Sequence, residues 1–228
     1  MRLSIIIPCY NEAFILPKTI EYLEKFCFRH RKLFVCELMF VNDGSRDHTM
    51  HILDDYAKGN PNITIISYPF NLGKGYAVRQ GLIESKHDIK LILDADLSVK
   101  PDEILKHLDA LKGIEPFIIT GQRVQVIKQP LYRRIAGKCF QMLHMLIFDF
   151  DFVDTQCPFK VLYKLPKKFA YELKIEGFAY DCELLYKVKK EGYKIITPNV
   201  EYNNEPDSRV TLSKTIKMFF DMFRIKLH

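Results

Sequence analysis

The sequence predicts an α/β fold in which a mostly parallel sheet is flanked by helices. Strand-like apolar runs alternate with helix-like segments over the first hundred residues, and each run ends in a polar loop. The chain of 228 residues is 48% hydrophobic, so it can bury one large core or two small ones, and we expect a single main domain. Strands that alternate with helices form a parallel sheet through right-handed crossovers, and ligands bind at the carboxyl ends of its strands.

Four apolar runs are predicted to be buried strands, since turn residues bound them and β-branched residues are frequent in them. The first run, LSIIIP, ends at Pro8 and opens into the loop PCYNE. The second, ELMFVNDGS, ends in an Asn-Asp-Gly turn, and the third, NITIISYP, ends at Pro69. The fourth run leads directly to Asp94 and Asp96.

Apolar residues at helical spacing follow each of the first three runs, which predicts helices over 14–28, 48–58 and 75–85. Pro101 is expected to begin another helix, because proline is favoured at the first helical position. A last helix is predicted over 211–227.

Asp94 and Asp96 form an Asp-x-Asp pair at the end of the fourth predicted strand. Two carboxylates at the carboxyl end of a parallel strand can hold a hard divalent cation, which bridges them to phosphate oxygens of a diphosphate. The pair therefore indicates nucleotide-sugar chemistry. The alternative is that the pair lies in a solvated loop without a function. The other polar loops expected at the same edge of the sheet favour a binding site instead.

Four segments resemble the family 2 glycosyltransferases with the GT-A fold: PCYNE, VNDGSRDHT, NLGKGYAVRQG and LDADLS. Later segments resemble the dolichyl- and polyprenyl-phosphate glucosyl- and mannosyltransferases of that family. These are DTQCPFKVLYK, GFAYDCELLYKVKKEGYKI and DSRVTLSKTIKMFFDMFRIK. The resemblance implies a GT-A catalytic domain over 1–210 and a C-terminal amphipathic helix over 211–228.

The resemblance also implies a binding site for a nucleotide sugar, a UDP- or GDP-hexose. The expected donor-site residues are Pro8, Tyr10, Glu12, Asp43, Lys74, Asp94, Ala95, Asp96 and Arg209. Asp94 and Asp96 are the expected ligands of Mg²⁺ or Mn²⁺, and Asp154 is the candidate for a base or an orienting group. Asp181 and Glu183 are two residues apart on a helix, so at most one of them faces the site, and Asp181 is the weaker catalytic candidate.

The residues from 116 to 148 contain no acidic side chain but several basic ones, which predicts an anionic partner beside this segment. By resemblance, Arg123 together with Arg133 or Arg134 holds the phosphate of a polyprenyl or dolichyl phosphate acceptor. Nucleic acid is not expected as a partner, because neither an aromatic stacking platform nor a recognised binding motif accompanies the charges. A solvated helix face is the alternative.

The last predicted helix has an apolar face and scattered basic residues, a pattern that suits a helix lying on an anionic bilayer surface. The residues expected on that face are Leu212, Ile216, Phe219, Phe220, Phe223 and Leu227. A helix packed on the core is the alternative. No apolar run reaches the roughly 20 residues of a spanning helix. The six cysteines show no paired spacing, which indicates free thiols in a reducing compartment. We therefore expect peripheral association with the cytoplasmic face of a membrane.

The expected reaction is an inverting, metal-dependent transfer of a hexose of the glucose or mannose type to a polyprenyl or dolichyl phosphate. A phosphate monoester is largely ionised at neutral pH, whereas a sugar hydroxyl needs a general base. The chain has no tryptophan, so it lacks the Gln-x-x-Arg-Trp motif typical of family members that build polysaccharides. Two alternatives stay open: a transferase with a hydroxyl acceptor on a glycan, protein or glycolipid, and a non-catalytic protein that binds sugar nucleotides or lipid phosphates.

Overall fold

The computed structural model describes residues 1–123, 142, 145–152, 154–203 and 212–227.

The centre of the protein is a seven-stranded β-sheet, and a separate sheet of two short strands accompanies it. The described strands are β1 (Arg2–Cys9), β2 (Val35–Asp43), β3 (Ile63–Tyr68), β4 (Ile89–Ile92), β5 (Phe117–Thr120), β6 (Gln122–Arg123), β7 (Lys160–Tyr163), β8 (Lys194–Ile196) and β9 (Asn199–Val200). Seven of them form one sheet in the order β3-β2-β1-β4-β7-β5-β8, and β6 pairs with β9. Only β7 runs antiparallel to its described neighbours, β4 and β5. The prediction of a mostly parallel sheet is confirmed.

Helices cover both faces of this sheet. They are α1 (Leu16–Arg29), α2 (Thr49–Ala57), α3 (Lys74–Glu84), α4 (Lys168–Glu172), α5 (Tyr180–Lys190) and α6 (Leu212–Leu227), with short 3₁₀ helices at Pro101–His107 and Ala110–Lys112. The four predicted α-helices are present, and none of their bounds differs from the expected one by more than two residues. The helix expected at Pro101 also begins there, but with 3₁₀ geometry.

Two apolar clusters lie on opposite faces of the sheet, because successive side chains of a strand point to opposite faces. Ile5 and Ile7 of β1 belong to the cluster that α1 and α2 cover. Ile6, between them, belongs to the cluster that α3, α4, α5 and α6 cover. A strand buried on both faces is mostly apolar, which explains why LSIIIP, apart from Ser4, shows no alternation of apolar and polar residues.

The described cysteines all carry free thiols. Cys9, Cys157 and Cys182 are buried, whereas Cys27 and Cys36 are partly exposed. Cys139 lies outside the described residues.

The strand register brings the candidate loops to one edge of the sheet. The four parallel strands β1 to β4 all end at this edge, so the loops that follow them gather there. Because β7 is antiparallel, it begins at the same edge, where Lys160 lies between Ile92 of β4 and Thr120 of β5. Arg123 follows the end of β5.

Helix α3 packs closely on the sheet at Gly81. A Cβ atom there would lie 2.4 Å from Cγ2 of Ile6 and 3.3 Å from Cγ2 of Val41. We expect Gly81→Val to lower the free energy of unfolding by about 1–3 kcal/mol, since extra methyl groups overpack the core. Urea denaturation followed by circular dichroism measures this, with Glu84→Val, exposed on the same helix, as the control. An unchanged midpoint in Gly81→Val would contradict the proposed tight packing.

Candidate active site

The loops after β1 and β2 are joined by direct hydrogen bonds. These run from Asn11 N to Ser45 Oγ (2.9 Å), from Arg46 N to Asn11 Oδ1 (2.8 Å), from Glu12 N to Thr49 Oγ1 (2.8 Å) and from Ala13 N to Asp47 Oδ2 (3.1 Å). Asn11 has a left-handed backbone with a φ of 55°, which asparagine tolerates better than most residues. The polar residues of PCYNE and NDGSRD therefore hold the two loops together at one corner of the site.

Three predicted donor-site residues lie in this corner. Pro8 is half-buried near the end of β1, and Tyr10 directly after the strand is exposed. Glu12 is half-buried, and its carbonyl oxygen accepts hydrogen bonds from the backbone N–H groups of Ile15 and Leu16, which lead into α1.

Asp43, at the end of β2, is a buried carboxylate that holds the loop before α3. It accepts hydrogen bonds from Asn71 Nδ2 (2.8 Å), Leu72 N (2.8 Å) and Gly73 N (3.0 Å). Burial raises the pKa of Asp43, although the backbone N–H groups of Leu72 and Gly73 oppose this shift. In this structure Asp43 positions the loop that carries Lys74, and its contact with a nucleotide stays a prediction.

Glycines bring the start of α3 against the segment 175–177. At Gly73, with a φ of 111°, a Cβ atom would lie 2.3 Å from the carbonyl oxygen of Glu176. At Gly75 it would lie 2.3 Å from the carbonyl oxygen of Ile175 and 2.7 Å from Cβ of Tyr180. Glycine at both positions thus allows a close approach to the protein's own backbone, and this approach brings Lys74 next to α5.

The Asp-x-Asp pair follows β4 at the same edge. Asp94 is half-buried and forms an ion pair with Lys74, with Nζ 2.5 Å from Oδ1, whereas Asp96 is exposed and its Oδ1 accepts a hydrogen bond from Ser98 N at 2.8 Å. Ala95 between them is buried, and its carbonyl oxygen accepts a hydrogen bond from the Thr19 hydroxyl at 2.5 Å.

The turn after the pair is strained. Leu97 has a φ of 49° and is buried, and its N–H donates to the carbonyl oxygen of Asp94 at 3.0 Å. Such a conformation costs about 1–3 kcal/mol for a residue with a Cβ atom, and it is typical of functional sites. The fold therefore maintains a costly turn directly after the two carboxylates.

A buried ion pair lies behind Lys74. Lys160 Nζ is 2.6 Å from Oδ1 of Asp181 and donates to the carbonyl oxygen of Cys157 at 2.7 Å. Burial raises the pKa of Asp181, and the positive charges of Lys160 and Lys74 oppose this. Burial alone lowers the pKa of Lys74, but the negative charges of Asp94 and Asp181 outweigh it and the pKa is raised. Charges of alternating sign thus run from Lys160 through Asp181 and Lys74 to Asp94.

Sequence reasoning missed Lys160. The signal that could have found it is a lysine in the first strand position of the otherwise apolar run KVLY, because a charge rarely stands in a buried strand without a partner.

Arg123 and Asp154 form a second ion pair at the same edge. Arg123 Nε is 2.6 Å from Oδ2 and Nη2 is 2.9 Å from Oδ1 of Asp154, and the guanidinium lies 5.2 Å from the ring centre of Tyr202. Burial lowers the pKa of Arg123, but the hydrogen bonds and charge of Asp154 outweigh this and raise it. The side chain of Gln122 forms two hydrogen bonds with the backbone of Asp154. Gln122 Nε2 donates to the carbonyl oxygen of Asp154, and the backbone N–H of Asp154 donates to Gln122 Oε1. This geometry fits the orienting role of Asp154 better than the role of a base.

Arg133, Arg134 and Arg209 lie outside the described residues. Their expected contacts with the acceptor phosphate and the diphosphate stay predictions.

The donor set of Asp94 and Asp96 suits a divalent cation that is shared with a substrate. Within the described part of the chain, no group of three or more His, Cys, Asp or Glu side chains is arranged to hold a metal ion. Mg²⁺ is commonly held by one or two carboxylates together with phosphate oxygens of a substrate. Two carboxylates at a strand end, one of them exposed, therefore fit this mode of binding.

Helix α6 has one face on the core and one face in solvent. Met218, Met222 and Ile225 are buried in the cluster beside α5. The exposed apolar residues are Phe219, Phe220, Phe223 and Leu227. In the part of the chain that the structure describes, no helix is long and apolar enough to cross a membrane.

Comparisons with known proteins agree with this architecture. The profile of Glycosyl transferase family 2 matches residues 4–168. The chain is 31% identical to dolichyl-phosphate beta-glucosyltransferase ALG5D of Trichomonas vaginalis, over 97% of this chain and 72% of that protein. It is 33% identical to the dolichyl-phosphate beta-glucosyltransferase of Mus musculus, over 81% of this chain and 62% of that protein.

Solved structures show the same fold. Mannosyl-3-phosphoglycerate synthase from Rubrobacter xylanophilus superposes with a TM-score of 0.74 at 16% identity, over 100% of this chain and 74% of that one. Glucosyl-3-phosphoglycerate synthase from Mycobacterium tuberculosis, crystallised with Mn²⁺, UDP and phosphoglyceric acid, gives 0.71 at 16% identity, over 99% of this chain and 77% of that one. The predicted GT-A fold is confirmed. The family profile matches most of this chain, which therefore belongs to glycosyl transferase family 2. As predicted, the protein is a transferase enzyme.

Proposed function

We propose that this enzyme transfers glucose from a nucleoside-diphosphate glucose to dolichyl phosphate or a related polyprenyl phosphate. The observation that carries the proposal is the placement of two separate sets of charged residues at one sheet edge. Asp94, Asp96 and Lys74 lie at the end of β4, and Arg123 lies beyond the end of β5. One strand, β7, separates β4 from β5, so their ends are about 10 Å apart, two strand spacings. That separation leaves room for one hexose between a donor diphosphate and an acceptor phosphate.

On the donor side, Asp94 and Asp96 would hold Mg²⁺ or Mn²⁺. When bound, the cation stabilises the departing diphosphate as a Lewis acid. Lys74 adds a fixed positive charge beside Asp94, and the hydrogen bonds of Asp43 to the preceding loop hold it there. UDP is the favoured nucleoside diphosphate, because the Mycobacterium tuberculosis synthase of the same fold was crystallised with UDP and Mn²⁺. Glucose and dolichyl phosphate are favoured by the names of the relatives.

On the acceptor side, Arg123 is the group that binds the phosphate. Asp154 occupies its Nε and Nη2 atoms. A guanidinium has five N–H donors, so those of Nη1 are directed elsewhere and can bind phosphate oxygens. The bidentate contact with Asp154 fixes the plane of the guanidinium before the acceptor arrives.

The chemical step is a direct displacement at the anomeric carbon of the sugar. A phosphate oxygen of the acceptor forms the new bond, the bond to the diphosphate oxygen breaks, and the configuration inverts. The acceptor phosphate is already ionised at neutral pH, so no side chain has to remove a proton. A hydroxyl acceptor would need a base, and the two candidates, Asp154 and Asp181, are each held in an ion pair.

A membrane surface is the proposed location of the reaction, at its cytoplasmic face. Phe220 is 65% exposed and Leu227 is 84% exposed on the outer face of α6. Lys217, Arg224 and Lys226 on the same helix are exposed as well. Exposed aromatic residues beside lysine and arginine are typical of a helix that lies on an anionic bilayer.

Loss of the metal ligands should stop turnover. We expect Asp94→Asn and Asp96→Asn each to lower the release of UDP from UDP-glucose by about tenfold or more in the presence of Mn²⁺, because one carboxylate holds the cation weakly. EDTA should have the same effect on the unmodified enzyme. Asp109→Asn, which removes a surface acid paired with Lys112, is the control. Full activity of both site variants in EDTA would contradict the metal assignment.

Loss of Arg123 should affect the acceptor rather than the donor. A charge-assisted contact with phosphate contributes roughly 1.5–3 kcal/mol, so Arg123→Ala should raise the KM for dolichyl phosphate or lower kcat by about tenfold or more. The affinity for UDP-glucose should change little. Arg31→Ala, a surface arginine at the end of α1, is the control.

The same assay separates the two acceptor classes. Dolichyl phosphate should accept glucose, whereas dolichol, which differs only in the missing phosphate, should not. If dolichol or a free sugar is the better acceptor, the lipid-phosphate proposal is wrong and the hydroxyl-acceptor alternative replaces it.

The outer face of α6 should determine membrane binding. Replacing Phe219, Phe220 and Phe223 with serine should weaken sedimentation with vesicles of phosphatidylcholine and phosphatidylserine, since the apolar contribution is lost. Binding of the unmodified protein should also weaken at high salt, because salt screens its charges. Phe28→Ser, an exposed phenylalanine on α1, is the matched control. Equal binding of the triple variant and the unmodified protein would contradict this orientation.

A further inference from the structure

The buried pair of Lys160 and Asp181 is not explained by stability. Their side chains are 1% and 6% exposed, and their charged atoms are 2.6 Å apart. Removing two ions from water costs several kcal/mol per ion, and well-packed apolar residues are often as stabilising as such a pair. A charge pair kept at this cost beside a candidate site points to a role in that site.

The position of the pair links it to Lys74. Asp181 is the second residue of α5, and the start of α5 packs on the start of α3. The closest approach is at Gly75, where a Cβ atom would lie 2.7 Å from Cβ of Tyr180. Lys74 is therefore paired with Asp94 at 2.5 Å, and Asp181, next to Tyr180, is close enough for its charge to act on Lys74.

Glu183 shows that the two acids of α5 have different roles. Its carboxylate accepts hydrogen bonds from Lys174 N at 3.0 Å and Ile175 N at 2.8 Å. Glu183 thus holds the segment that leads to 175–177, whereas Asp181 pairs with Lys160.

We propose that Lys160 and Asp181 are positioning residues of the donor site: Lys160 fixes the Asp181 carboxylate, and Asp181 together with Asp94 fixes the Lys74 ammonium where the donor diphosphate binds. This inference rests on the proposed function. It also assigns Asp181 as a counter-ion instead of a proton acceptor. An acceptor that carries its own negative charge, as a phosphate does, requires no proton acceptor at this position.

The test is a double-mutant cycle of Lys160→Met and Asp181→Asn. Isothermal titration with UDP-glucose and MnCl₂ measures donor affinity, and turnover with dolichyl phosphate gives kcat and the acceptor KM. Each single variant leaves one buried charge without its partner, so we expect each to weaken donor affinity by about tenfold or more. The acceptor KM should stay within about twofold.

The double variant should lose no more donor affinity than the weaker-binding single variant, because residues that act as one unit give non-additive effects. The control pair is Lys106→Met with Glu103→Gln, which removes a 2.7 Å lysine–glutamate contact of the first 3₁₀ helix and should leave donor affinity unchanged. Near-ultraviolet circular dichroism and thermal midpoints show which variants are folded. If the single variants do not fold, the double variant decides: it should bind UDP-glucose about threefold or more weakly, with an unchanged acceptor KM.

Three results would overturn the inference. The first is a fall in kcat of about hundredfold or more in Asp181→Asn at unchanged donor affinity, which indicates a general base. The second is lower thermal midpoints with normal donor affinity, which indicates a purely structural pair. The third is fully additive losses in the double variant. In all three cases the unmodified enzyme still binds donor and the proposed function stands. Failure of the unmodified enzyme to bind UDP- or GDP-glucose removes the proposed function and this inference together.

Discussion

The geometry of the site depends on the contact between the first turn of α3 and the segment 175–177. At Gly73 and Gly75 a side chain would have to occupy space already filled by backbone atoms, 2.3 Å from a hypothetical Cβ in each case. Asp43 holds the other side of the same turn through the N–H groups that precede it. The backbone of Lys74 is consequently held from both sides, and in this position its ammonium group contacts Asp94.

Charge balance is the second constraint, because this edge of the sheet combines several ionised groups, of which Lys160 and Asp181 are buried. The structure pairs Lys74 with Asp94, Lys160 with Asp181, and Arg123 with Asp154. Breaking the buried pair of Lys160 and Asp181 would leave an unpaired charge that costs several kcal/mol, so this pair stabilises the arrangement of the charges around it. Arg123 and Lys160 also engage the two late candidates for a base, Asp154 and Asp181, which agrees with an acceptor that is ionised before it binds.

The sequence predicted the parts of this site that depend on local rules. Apolar runs that end at turn residues predicted the parallel strands, and the strand ends predicted that Asp43, Lys74 and Asp94 share one edge. The contacts between distant segments could not be predicted. The ion pair of Lys160 with Asp181 and the backbone hydrogen bond of Gly75 with Glu176 form only through the packing of α3, α5 and β7. Asp154 was expected as a base or an orienting group, and only the bidentate contact with Arg123 favours the second role.

The apolar pattern of the C-terminal helix supported two readings of its sequence, a membrane face and a core face. Both faces exist, since Met218 and Met222 point to the core and Phe219 and Phe223 point to solvent. The core face also carries Asp221, which is buried, and a Cβ atom on Gly177 would lie 3.6 Å from its Oδ2 atom. The carbonyl oxygen of Glu176, next to Gly177, accepts a hydrogen bond from Gly75 N in the first turn of α3 at 2.8 Å. One short segment therefore lies beside both the helix of the proposed membrane surface and the turn that carries Lys74, so the proposed donor site and the proposed membrane face share this segment.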